Sequence, residues 1–121
     1  MDEFTAAYVE CALWSSLDEH GEPLDSVLGI DDVAPDALAT MTADCAEFQE
    51  ANADMLRAAT ESRASYTLAR AGHDFWLTRN GHGAGFWDRG LGAIGAALTA
   101  AAKAHGSCDL YCDESDRIHV A

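Results

Sequence analysis

The residues of this chain best suited to chemistry are carboxylates. Rotated at about 100° per residue, Asp36, Glu47, Glu50, Asp54 and Glu61 fall within about 60° of one another on a single helix. Glu47, Glu50 and Asp54 are then spaced by roughly 4.5 and 6 Å along its axis. Such a row resembles the phosphates of a nucleic-acid backbone, whose charges repeat every few ångströms. The opposite side carries Leu38, Met41, Cys45, Phe48, Met55 and Leu56, a core face. Asp18, Glu19, Glu22, Asp25, Asp31 and Asp32 precede the helix and would extend the acidic patch. The competing reading is an ordinary solvated helix face. Against it, residues 1–60 hold fourteen acidic residues and one basic residue, Arg57. These carboxylates therefore have almost no ion-pair partners nearby. Unpaired like charge costs stability through self-repulsion, and a basic partner is one reason to retain it. Adaptation to high salt, or a bias toward Ala, Asp and Gly, is another.

A second constellation is His73, Asp74, Arg79, Asn80 and His82. Arg79 and Asn80 could engage an anionic group, with His82 as acid or base, giving an alternative small-ligand or catalytic site that includes His73. If residues 73–79 form a strand, His73 and Asp74 point to opposite faces and cannot act together. Gly81, Gly83 and Gly85 alternate as in phosphate loops but lack the strand–loop–helix order. His105, Cys108, Cys112 and His119 are zinc-ligand types. With 109–113 extended, however, Cys108 and Cys112 stand about 13 Å apart, too far for one ion. No metal or other cofactor is expected, and the four cysteines read as free thiols.

The elements that must position these groups divide unevenly. Residues 3–15 place Phe4, Ala7, Tyr8, Cys11 and Trp14 on one side of a helix. Residues 16–33, with Gly21, Pro23 and Gly29, read as a surface loop. Pro35 suits a first helical turn, Val33 and Leu38 could form a hydrophobic staple, and Asp36 complements the dipole. That helix is expected to run to about residue 60, or on toward Ala69. HDFWLTR at 73–79 fits a strand, Asn80-Gly81-His82-Gly83 a turn, and Phe86-Trp87 the returning strand. Phe75, Trp76, Phe86 and Trp87 would then need a covering helix or a second copy. Asp88 could cap a helix from about 90 to 104 with Leu91, Ile94, Leu98 and Ala101 inward. A hairpin of 109–113 and 117–121 closes the chain. The expected fold is α+β in one domain, 1–121: an N-terminal helical pair plus a small antiparallel sheet with one further helix packed on it, divided into an acidic helical part over 1–70 and a mixed strand–helix–hairpin part over 71–121.

Composition narrows function further. The 121 residues carry Asp+Glu 21 against Lys+Arg 7, a net charge of −14, of which −13 lies in residues 1–60. That balance repels nucleic acid and anionic membrane as direct ligands. No apolar run approaches the roughly 20 residues of a membrane span, and residues 1–15 lack a basic start and cleavage site. The expectation is an intracellular protein, monomer or homodimer, without an enzyme signature.

CALWSS at 11–16, GHDFWLTRNGHGAGFWDRG at 72–90, LTAAAKAHG at 98–106 and DLY at 109–111 resemble a group of small, uncharacterised proteins from phages and prophages. The resemblance implies a phage-borne protein made in the bacterial cytoplasm and brings no catalytic residues with it. Small acidic phage proteins often antagonise host defence, as antirestriction and anti-CRISPR proteins do, some by mimicking DNA. By that analogy, the expected function is inhibition of a host DNA-targeting complex through its basic DNA-binding surface.

Overall fold

The computed structural model describes all residues 1–121. Five helices and one two-stranded antiparallel sheet make an α+β fold. Helix α1 spans Glu3–Ser15, α2 Pro35–Ala51, α3 Ala53–Ser62, α4 Leu68–Arg79 and α5 Ala93–Ala104. Strands β1, Leu110–Cys112, and β2, Ile118–Val120, pair with Leu110 opposite Val120 and Cys112 opposite Ile118. Short 3-10 turns at Leu24–Ser26, Ile30–Asp32 and Phe86–Asp88 order the connections.

Helix α1 starts where Asp2 accepts a bond from Thr5 N–H at 2.8 Å, relieving one of the unpaired donors of a helix start. Hydrogen bonding from the Thr5 side chain and N–H holds the Asp2 carboxyl below the usual range. Phe4, Ala7, Tyr8 and Cys11 face inward as their spacing requires, but Trp14 does not. It stands 57 % exposed at the helix end. Helix α2 begins at Pro35, with Val33 buried and Leu38 half-buried.

The expected long helix stops at Asn52. This residue leaves helical geometry (φ −120°, ψ 23°), and its side-chain amide donates to Phe48 O at 2.9 Å. Asparagine competes for helix carbonyls in this way, which disfavours it in helix interiors. Asn52 is buried in the break, and Leu56 and Ala59 of α3 continue the inward face beyond it.

The largest correction concerns residues 73–79, which form the second half of α4 rather than a strand. Thr67 caps α4 through its hydroxyl on Arg70 N–H, and Asn80 and Gly81 end it, with Gly81 at φ +68°. Residues Asp74–Arg79 are all buried. A helix enclosed on most sides has no polar stripe, so its aromatic run mimics a strand. Helix α1 packs more extensively on α4 than on any other element. The contact is close because Gly72 has no side chain: a Cβ there would sit 1.9 Å from Phe4 O. Around this crossing Phe4, Phe48 and Phe75 stack, with Phe48 and Phe75 ring centres 4.2 Å apart.

Phe86 is buried in its 3-10 turn while Trp87 points outward, so no aromatic hairpin exists. Asp88 caps that turn, accepting from Gly85 N–H, rather than starting α5. Leu91 is buried ahead of α5, Leu98 is buried within it, and Ile94 and Ala101 are half-buried. The C-terminal hairpin appears as the sequence predicts. It is tied to the start of α2 where Ala34 N–H donates to Ile118 O at 2.8 Å.

Candidate functional site

Asp36, Glu47 and Glu50 are exposed on α2, and Asp54 and Glu61 are exposed on α3. All five therefore face solvent, but from two successive helices. Across Asn52 their separation is not set by helical rise, so the single straight row is replaced by two shorter ones. Asp54 lies 2.6 Å from Arg57, an exposed i,i+3 pair of little energetic weight. Asp36 accepts from Ala37 N–H at the start of α2.

Glu19, Glu22, Asp25 and Asp31 are exposed in the loop between α1 and α2, and Asp18 and Asp32 are half-exposed. Two of these hold the loop itself. Asp18 accepts from His20 and Glu22 N–H at 2.8 and 3.0 Å, and Asp32 from Gly29 N–H at 2.8 Å. The bonds from Glu22 and His20 keep the Asp18 carboxyl low and ionised.

The alternative site is not assembled. Arg79 is 8 % exposed and is used entirely inside the protein. Its guanidinium donates to Asp44 at 2.9 Å, Tyr8 Oη at 3.0 Å, and the carbonyls of Gly106 and His105 at 2.8 and 3.1 Å. It lies over the Phe75 ring at 5.4 Å and closes the C-terminal end of α5, where carbonyls lack helical partners. Burial holds the Tyr8 hydroxyl protonated, far above the ordinary tyrosine range. Asn80 donates to Trp76 O and accepts from Cys108 N–H at 2.7 Å, pinning the segment after α5. His82 is exposed on the turn beyond, whereas His73 is half-buried beside Trp14, with ring centres 6.1 Å apart. Burial lowers the His73 pKa, which keeps the ring neutral at pH 7.

Sequence reasoning also missed a buried cluster. Asp74, 0 % exposed, accepts from Tyr66 Oη at 2.8 Å and from Arg89 Nε and Nη2 at 3.1 and 2.7 Å. The Asp74 carboxylate raises the Arg89 pKa, while burial pushes the Tyr66 hydroxyl up. This cluster joins α4 to both flanking segments, and no buried side-chain polar atom anywhere lacks a partner. Tyr66 precedes α4 and Arg70 between it and Asp74 is exposed, so no helical period links the cluster's members. Arg89 comes from a different segment and was not legible.

At the C-terminus, His105 packs on Phe48 and Phe75, and His119 bonds Asp113 at 2.6 Å while stacking on Tyr111. Nowhere do three His, Cys, Asp or Glu side chains converge as metal ligands. All four cysteines are free. Burial pushes Cys11 and Cys45 up to about 12. No helix is long and apolar enough to cross a membrane. Compared with protein-family models, curated proteins and solved structures, the chain matches none.

Proposed function

We propose that this protein is a non-enzymatic, phage-type inhibitor of a host DNA-targeting complex, a CRISPR surveillance complex or a restriction enzyme. Its acidic face occupies the partner's Lys/Arg-rich DNA-binding surface and excludes the target by competition. The supporting observation is the disposition of charge. Asp36, Glu47, Glu50, Asp54 and Glu61 are exposed on α2 and α3 with Arg57 the only basic residue among residues 1–60. Arg79 and Arg89, meanwhile, pair inside with Asp44 and Asp74. Of the five, only Asp54 has an ion-pair partner, Arg57, and two of the chain's seven basic groups are withdrawn into pairs elsewhere. Such a field speeds encounter with a cationic partner and weakens as salt rises.

The test is retention of a DNA-targeting complex from bacterial lysate on the immobilised protein at low salt, followed by elution with duplex DNA. The native protein is expected to retain it, and duplex DNA to release it. Reversal of Glu47, Glu50 and Asp54 to Lys sets like charges against the partner and should cut affinity by about 100-fold or more. Equal retention by a folded triple variant, or indifference to duplex DNA, refutes the reading.

A further inference from the structure

A groove of about 590 Å³ lies between α1 and the loop that follows it, outside the α2–α3 face. Its floor is apolar, made by Val9, Leu13, Leu28 and Ile30, with Trp14 and His73 forming one wall. Trp14 and Ile30 are 57 % and 41 % exposed and, unlike the exposed Trp87, line one groove together. The rim carries Glu10 and Asp25, both exposed carboxylates. Arg70 is the cation nearby, in an adjoining shallow dip that shares Glu10 and His73 with the groove, which leaves Asp25 as the rim carboxylate away from it.

We infer that this groove docks a cationic amphipathic segment of the partner protein, seating an apolar side chain against Trp14 and Ile30 while Lys or Arg groups meet Glu10 and Asp25. The inference rests on the proposed function only in taking the partner to be basic. Charge complementarity selects this occupant. A second copy of the chain would bring another acidic rim and a net charge of −14 against the first. An anionic surface is repelled for the same reason. Neutral His73 adds no positive charge to the wall, which burial ensures at pH 7. A rigid aromatic beside an aliphatic floor is the usual anatomy of an interface anchor. The acidic face supplies attraction at long range, and the groove supplies the contact that salt does not screen.

The experiment uses a Trp-free Leu/Lys amphipathic peptide and a Gln/Lys peptide of equal charge. Both are titrated near physiological ionic strength into the Trp87→Phe protein, where Trp14 is the remaining exposed tryptophan. The Leu/Lys peptide should bind at least about tenfold more tightly and shift Trp14 emission to the blue. Ile30→Asp makes the groove more acidic but takes away an exposed apolar side chain, leaving Val9, Leu13 and Leu28 beneath. Docking as inferred predicts about a tenfold loss for the Leu/Lys peptide, whereas attraction by charge alone predicts a gain. The Lys triple variant of α2 and α3 should keep the blue shift, so failure of the acidic-face reading and failure of the groove are separable. Equal binding of the two peptides, undiminished binding to Ile30→Asp, or dimerisation of the native chain abolished by Ile30→Asp would each overturn the inference.

Discussion

The guanidinium of Arg79, at the end of α4, lies 2.9 Å from the carboxylate of Asp44 in the middle of α2, with the arginine almost wholly enclosed. The same group bonds Tyr8 of α1 and the carbonyls that end α5, so one side chain ties four helices together. An arginine that sequence alone nominates as a ligand contact is instead a structural hub.

Removing that hub should cost stability rather than a surface function. Arg79→Ala leaves Asp44, Tyr8 and two carbonyls without their donor, and the expected loss is about 3–5 kcal/mol. Arg79→Lys should recover only part of it, because an ammonium cannot reproduce the fork. Urea denaturation measures both. An unchanged midpoint for Arg79→Ala would contradict the hub.

Gly72→Ala is the smallest substitution expected to disturb the core. The new methyl meets Phe4 O at 1.9 Å, so α1 and α4 must separate. Overpacking of this kind costs about 1–3 kcal/mol, despite alanine's higher helix propensity. Thermal melting should show a lower transition. A higher one would mean that the crossing is looser than described.

Thiol chemistry should report burial. Cys11, Cys45 and Cys108 are enclosed, and burial raises all their pKa values. Cys112, half-buried on β1, should react first with a thiol reagent in the native protein, while the other three wait for denaturant. Mass spectrometry after brief labelling identifies the site, and early modification of Cys45 would contradict this order.

His73 gives a signed pH dependence. Its folded pKa lies below the ordinary histidine value of about 6.5, so the unfolded chain binds more protons as acid is added. Its contribution is therefore complete above about pH 6.5 and is lost as pH falls toward the lower folded value. Carboxylates titrate too, and the informative quantity is the difference from His73→Gln. The native protein should lose stability relative to that variant between neutral and mildly acidic pH. A constant difference would show that His73 is not desolvated.

The chain itself determined what depends on local pattern and on composition. The acidic bias of residues 1–60, the inward spacing of Phe4, Tyr8 and Cys11, the start of α2 at Pro35 and the C-terminal hairpin all follow from charge, periodicity and turn chemistry. Exposure of the five helix carboxylates was legible for the same reason, since α2 and α3 each have one buried side. Tertiary structure alone decided α4, because a helix packed by α1, α3 and α5, and by Phe48 and Asp44 of α2, shows no polar stripe and its aromatic run fits either period. It likewise decided Arg79, whose partners are 26 to 71 residues away, and the groove, whose walls meet only when α1, the loop and α4 are packed. A sequence carries the periodicity of each segment. Which segments enclose a given side chain is settled by packing, through contacts that no local pattern encodes.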